Sequence, residues 1–153
     1  MRTRNKILGV VLPVMLLVGA ATPVLADTTG GGNADLGLDA IAITAAGAQG
    51  KTGIATISGT ISCSQDLIGI QIFVELDQVV GRFHTLRGWA GATVDCAASD
   101  GSASWTLTIQ PDQGKFANGR ATITASAGIQ QCDEEGCFED SVGLGPQEIR
   151  LGR

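Results

Sequence analysis

Apolar and polar residues alternate along much of this chain, and the period of the alternation is two. Four runs show it most clearly, and their apolar members are Ala55, Ile57, Gly59, Ile61 and Cys63; Ile68, Ile70, Ile72, Val74 and Leu76; Ala103, Trp105, Leu107 and Ile109; and Ala121, Ile123, Ala125 and Ala127. The positions between them are mainly Ser, Thr and charged residues. This pattern is typical of antiparallel strands that have one face in a core and the other in solvent.

Three further segments are predicted as strands from weaker patterns. Residues 36–45 are predicted as a first strand, although this Ala-rich segment also fits a helix. Residues 83–94 hold two short strands broken near Gly88 and Gly91, and 147–151 form the last strand with Ile149 and Leu151 facing inward. Turn-forming residues separate the runs at 49–50, 99–101, 111–114, 118–119 and 143–146. Short strands at this spacing predict an all-β fold, an Ig-like antiparallel two-sheet sandwich of about seven strands.

The first 26 residues have the three-part layout of a secretory signal peptide. A basic start is followed by an apolar run, and small or modest residues precede Ala26, after which we predict cleavage. The alternative is a membrane anchor, but the run is short for a hydrocarbon core about 30 Å thick, and Pro13 lies inside it. The predicted organisation is therefore a signal peptide over 1–26, a flexible linker over 27–33 and the sandwich domain over 34–153.

Charge and composition exclude several functional classes. The chain of 153 residues carries a net charge of −5; Arg2, Arg4 and Lys6 leave with the signal, so seven bases then face fifteen acids and the net charge becomes −8. Such a field repels phosphate, so no nucleic acid is expected as a partner. With a single His and scattered acids, we predict no enzyme, no catalytic residue and no cofactor. The expected product is secreted and extracellular, without membrane attachment after cleavage.

Cysteine usage agrees with export. Cys63, Cys96, Cys132 and Cys137 form an even set that predicts two disulfides in an exported chain. Three pairings are possible, and Cys63–Cys96 with Cys132–Cys137 is favoured because the second pair encloses only four residues. A zinc site is disfavoured, since Cys63 and Cys96 lack the close neighbour that such a site needs.

Two groups of titratable residues are candidates for chemistry. An acidic cluster between Asp133 and Asp140 also contains Glu134, Glu135 and Glu139. It could supply oxygen ligands for Ca²⁺, or it could be a solvated loop at one end of the sandwich, and its spacing matches no calcium-loop pattern. His84 stands near two Arg residues without a nucleophile motif. We predict no metal site and a structural position for His84.

Phe73, Phe83 and Trp89 are the candidate ligand patch. Phe73 interrupts the polar side of an otherwise regular strand. If it meets Phe83 or Trp89 on a neighbouring strand, the rings would form an exposed surface for a ligand or partner. The alternative is ordinary cross-strand packing under a loop.

Several short motifs resemble known exported proteins. Those in the last third of the chain are similar to neocarzinostatin-type apoproteins, and they are Asp100-Gly-Ser-Ala-Ser104, Leu107-Thr108, Cys132-x4-Cys137, Val142-Gly-Leu144 and Gly145-Pro146. That resemblance implies a secreted actinobacterial Ig-like sandwich with two disulfides and a cleft for an enediyne chromophore. A broader set resembles small exported bacterial Ig-like domains of unassigned function: Gly59-Thr-Ile-Ser-Cys63, Cys96, Trp105 and Phe116-x2-Gly119-Arg-Ala-Thr122.

The sequence therefore predicts a secreted, non-catalytic Ig-like β-sandwich. Its expected use is as an extracellular binding or structural module with an unknown ligand or protein partner. The alternative is a carrier of a small apolar ligand, as the neocarzinostatin resemblance implies.

Overall fold

The computed structural model describes residues 36–82 and 84–152, together with a two-residue strand, β1 (Val24–Leu25). Seven longer strands follow: β2 (Leu38–Ala48), β3 (Ala55–Cys63), β4 (Leu67–Val80), β5 (His84–Cys96), β6 (Ser102–Ile109), β7 (Gly119–Cys132) and β8 (Cys137–Leu151). Within this part of the chain, no helix is long and apolar enough to cross a membrane. Apart from β1, the predicted signal peptide and the linker 27–33 lie outside the described residues.

The strands form two antiparallel sheets, in the orders β1-β2-β3-β6 and β5-β4-β7-β8. This confirms the predicted all-β fold of about seven strands in two antiparallel sheets. The fourth long strand, β5, joins the second sheet, whereas in an Ig constant-type domain the fourth strand belongs to the first. The sheets also meet at their edges, where Ala48 N–H donates to the Gly152 carbonyl (2.9 Å) and Asp112 N–H donates to the Arg87 carbonyl (2.7 Å).

The core lies between the sheets because the inward parity of each long strand is apolar. Alternate residues of β3 from Ala55 to Cys63 are buried and those between them are half-buried, as the sequence predicts. The largest fully buried side chains come from both sheets and from the β6–β7 loop; they are Phe116, Ile41, Ile57, Ile61, Leu67, Ile70, Ile72, Leu76, Ile109, Ile123, Leu144 and Leu151. Each such side chain contributes about 1.5–3 kcal/mol of burial free energy.

Both favoured disulfides are confirmed. Cys63–Cys96 joins the end of β3 in one sheet to the end of β5 in the other, and both residues are buried in the core. Cys132–Cys137 joins paired positions at the tip of the β7–β8 hairpin, where both residues are exposed. The first bond therefore ties the two sheets together, and the second closes a local loop.

The start of β4 departs from the predicted alternation. Ile68 was predicted to face inward, yet it is 78% exposed, and Leu67 is buried in its place. A register shift lies between Leu67 and Ile70, and Gly69 takes a positive φ of 84° there. The Gly69 N–H donates to Asp95 Oδ1 at 2.8 Å, which holds this β-bulge in place. An inserted bulge residue reverses which side chains of the strand face inward on the residues that precede it.

Two predicted interruptions are wrong. Residues 84–96 form one continuous strand instead of two short ones. A Cβ at Gly88 would contact the Gln110 carbonyl, because the segment after β6 passes close to β5 at this point. Gly88 therefore makes room for that segment and does not break the strand. The predicted turn at 143–146 lies inside β8, where Leu144 is 1% exposed. Pro146 is tolerated because β8 is an edge strand with a register shift at this point.

Gln78 is the one buried polar side chain among the described residues. It occupies an inward position near the end of β4 and pairs with the β6–β7 loop as a strand backbone would. Its Nε2 donates to the Ala117 carbonyl at 2.7 Å, and Ala117 N–H donates to its Oε1 at 2.8 Å. These bonds satisfy the buried amide and fix the loop that inserts Phe116 into the core.

Candidate functional site

Two aromatic rings stand together on the outer side of the second sheet. Phe73 on β4 is 45% exposed and Trp89 on β5 is 62% exposed. Their rings are stacked, with centroids 5.7 Å apart and an interplanar angle of 27°. The third predicted member of the patch, Phe83, lies outside the described residues. The stack is a cross-strand contact, but it leaves both rings largely open to solvent.

The strand register explains why these rings meet. Phe73 pairs with Gly91, and Trp89 pairs with Glu75, so the two aromatic residues are diagonal neighbours on adjacent strands. Because Gly91 has no side chain, the space beside Phe73 is free for the indole of Trp89. A stacked pair of this kind contributes about 0.5–1.5 kcal/mol beyond its buried area.

An ionic group borders the rings. Arg87 lies two residues before Trp89 on β5, and its Nε is 2.9 Å from Asp77 Oδ1 and 3.2 Å from Glu75 Oε1. The hydrogen bond that Arg87 donates to Asp77, together with the charges of Asp77 and Glu75, raises the pKa of the Arg87 guanidinium, which therefore stays charged. We call Phe73, Glu75, Asp77, Arg87 and Trp89 the aromatic face.

Hydroxyl groups flank the aromatic face on its other side. Ser126, Thr124 and Thr122 of β7 pair with Phe73, Glu75 and Asp77 of β4. All three β7 residues are exposed. On the outer surface, the pair of rings therefore has charged side chains of β4 and β5 at one end and hydroxyl groups along β7.

The acidic residues near Cys132 do not converge. Asp133 Oδ1 accepts the N–H groups of Glu135 and Gly136, while Glu139 Oε1 accepts from Gln130 Nε2 at 2.6 Å. Asp140 Oδ2 accepts two N–H bonds from the start of β2, at 3.1 and 3.0 Å. Across the described ranges, no group of three or more His, Cys, Asp or Glu side chains is placed to hold a metal ion.

His84 lies far from this acidic hairpin. It is the first residue of β5 and pairs with Val80, at the end of the sheet opposite to the Cys132–Cys137 pair. Its side chain is exposed. The fold therefore does not bring His84 and the acidic cluster together.

An open groove beside the hairpin disulfide was not predicted. It has a volume of about 600 Å³ and is lined by Leu36, Gln131, Cys132, Asp133 and Phe138. The groove exists because Asp140 holds the backbone at Leu36 against β8, more than a hundred residues along the chain. The periodicity of the sequence does not predict such a long-range contact. Phe138, directly after Cys137, was the one residue that could have pointed to the groove.

Comparison with known proteins adds no relative to this description. The chain matches no protein-family model, no curated protein and no solved structure.

Proposed function

We propose that this chain is a secreted, non-catalytic Ig-like β-sandwich that acts as a binding module outside a bacterial cell, with the aromatic face as its recognition surface. The observation that carries the proposal is the exposed stack of Phe73 on Trp89. Its partner is an extracellular ligand or protein.

The extracellular setting is supported by two independent features. The first 26 residues have the layout of a cleaved signal peptide. All four cysteines are paired in disulfides, which form and persist in oxidising compartments.

A binding role for the aromatic face is supported by its position in the fold. Neither ring contributes to the core. The outward positions directly beside the two rings on β4, β5 and β7 are polar or small, as expected for a solvated sheet face, and the exposed Ile68 and Val79 lie further along β4. Trp and Arg are enriched where proteins bind partners, and ring contacts there account for much of the affinity. Ligand recognition therefore explains the exposed Phe73–Trp89 stack better than a role in folding does.

Replacing Phe73 by Ser is expected to abolish ligand capture while leaving the fold intact. The ring that positions Trp89 is removed, but the residue is half exposed and lies outside the core. The measurement is native mass spectrometry of the protein purified from the culture medium of its own host, with urea unfolding as the test of folding.

The matched control is Ile68→Ser, which removes an exposed apolar side chain outside the aromatic face. The control should retain whatever species accompanies the parent protein. If Phe73→Ser carries the same bound species as the parent, the aromatic face is not the recognition surface. Loss of folding in this variant would assign Phe73 to the stability of the sheet.

Export itself is open to a direct test. We expect the protein recovered from the medium to begin at Asp27, because signal peptidase cleaves after small residues such as Ala26. Intact mass and N-terminal sequencing check this. A secreted protein that still contains Val24–Leu25 would contradict the predicted cleavage site, and retention of the chain in the cell would contradict secretion.

The second candidate function is a carrier of a small apolar ligand. The observation in its favour is the groove of about 600 Å³ beside Cys132 and Phe138, a volume within the range of small-molecule sites. Under this alternative the species seen by mass spectrometry is a small molecule, and its retention depends on Phe138 instead of Phe73.

A further inference from the structure

The aromatic face combines ring surface with hydrogen-bonding groups, and this combination selects a class of ligand. We propose that the face binds a neutral glycan, with a sugar ring stacked on Trp89 and its hydroxyls bonded to Glu75 and Arg87. The inference rests on the proposed function, since it assigns a ligand class to the same surface.

The size of the exposed rings favours a small ligand unit over a protein. Phe73 is 45% and Trp89 62% exposed, so together they offer on the order of 200 Å² of ring surface if a whole aromatic side chain has about 150–250 Å². A specific protein interface buries about 800 Å² on each partner. The two rings supply only about a quarter of that area, and they match the flat side of one or two sugar rings.

The charged groups beside the rings disfavour a purely apolar ligand. Such a ligand would remove water from Glu75 and Arg87 without replacing the lost hydrogen bonds, which is unfavourable. A sugar avoids this cost, because its hydroxyls donate to a carboxylate and accept from a guanidinium. Its C–H groups also suit the negative face of an indole ring. The hydroxyls of Thr124 and Ser126 extend the same chemistry across β7.

The contacting groups are held in place before any ligand arrives. Phe73 stacks on Trp89 with centroids 5.7 Å apart, and Trp89 remains 62% exposed. Arg87 is fixed between Asp77 at 2.9 Å and Glu75 at 3.2 Å. Groups that are already ordered lose less conformational entropy on binding. Trp89 is thus the contact residue, and Phe73 and Asp77 are positioning residues.

The charge of the exported protein favours a neutral glycan. After cleavage the net charge is −8, since seven bases face fifteen acids. This field opposes the approach of an anionic polysaccharide. On the aromatic face itself, Arg87 is already shared by two carboxylates, so it offers no spare charge for a sulfate or carboxylate on a glycan.

The test is titration of the full exported protein with neutral glycans, with tryptophan fluorescence as the readout. The probes are a soluble β-1,3-glucan, chito-oligosaccharides, an α-1,4-glucan, a mannan and a galactan. The chain has two Trp residues, and Trp105 is only 4% exposed. A shift of the emission to shorter wavelength therefore reports a ligand covering Trp89, and Trp105→Phe should give the same shift.

At least one of these glycans is expected to bind saturably. Trp89→Ala should weaken that binding by at least about tenfold, as loss of a ring contact does. Trp89→Phe keeps a ring and should bind more tightly than Trp89→Ala, and Ile68→Ser should bind as the parent does. Because Trp89→Ala has no reporter ring, its affinity is measured by calorimetry, with the urea midpoint confirming that it folds.

An apolar probe without hydroxyls, N-phenyl-1-naphthylamine, separates the ligand class from the binding surface. Arg87→Met should weaken glycan binding and leave or improve binding of this probe. If the probe binds through Trp89 and no glycan does, the glycan inference is overturned while the proposed function stands. Binding of a glycan equally to parent and Trp89→Ala overturns the inference as well. If neither probe nor glycan binds, the inference fails, and the Phe73→Ser comparison decides the proposed function separately.

Discussion

The double replacement Cys63→Ala/Cys96→Ala is expected to lower the free energy of unfolding by about 4 kcal/mol. The bond closes a separation of 33 residues, for which chain entropy alone gives about 3.5 kcal/mol. Both sulfurs are also buried, at 3% and 2% exposure, so the variant leaves a small gap in the core. Since a whole domain is stable by about 5–15 kcal/mol, this variant should have a much lower urea midpoint.

The hairpin disulfide is the matched control. Cys132→Ala/Cys137→Ala removes a bond with a separation of five residues, for which the same relation gives about 2 kcal/mol. Urea unfolding of both variants and the parent, with each free energy extrapolated to zero urea using its own m-value, measures the difference. In the parent, mild thiol reductant should open the exposed hairpin bond first. Equal losses in the two variants, or earlier reduction of Cys63–Cys96, would contradict its assignment as the bond that ties the sheets.

Gly59→Ala is expected to destabilise the protein by about 2–3 kcal/mol. Gly59 is a buried position of β3 and pairs with Trp105 of β6. A Cβ there would contact both the ring of Trp105 and the carbonyl of Ala42. One of these obstacles is backbone and the other is a ring enclosed in the core, so neither moves without cost. Overpacking of a tight core costs about 1–3 kcal/mol, and here two groups must shift.

Gly143→Ala provides the control for this effect. It adds the same methyl group within strand β8, where a Cβ would lie 3.9 Å from the Ala125 carbonyl, an ordinary van der Waals distance. This variant should be as stable as the parent or slightly more so, because Ala restricts the unfolded chain. Urea midpoints measure both. The double variant Gly59→Ala/Trp105→Leu should lose less than the sum of the single losses, because the smaller side chain removes one of the two obstacles.

Trp105 also carries a buried donor with no partner. Its Nε1 makes no hydrogen bond among the described residues, although the residue lies in the core, as the alternation along its strand predicts. An unpaired buried N–H costs about 1–3 kcal/mol. The close fit of the indole over Gly59 offsets this cost by packing.

The alternation of apolar residues predicted most of the fold. Where one side of a strand is buried, a one-residue slip would expose the whole apolar set, so the pattern fixes the parity. The predicted inward side is correct for β3, β6 and β7. It fails for Ile68, because a bulge at Gly69 depends on a hydrogen bond to Asp95, a residue on another strand.

Only part of the candidate site could be predicted from the sequence. The outward parity of Phe73 follows from its own strand. Its contact with Trp89 depends on the β4–β5 register, which sets Gly91 opposite Phe73. The groove at Leu36 and Phe138 was missed altogether, because it needs Asp140 to reach β2 from the other sheet.

The sequence by itself determined the fold class, the inward side of most strands and the favoured cysteine pairing. These are local properties, since a two-residue period and a short loop between cysteines can be read without knowing any partner strand. Only the tertiary structure decided which strands are neighbours, how they are registered and which exposed side chains stand together. Those features depend on contacts between residues far apart in the chain, and Phe73 and Trp89 come into contact only because the sheet places them side by side.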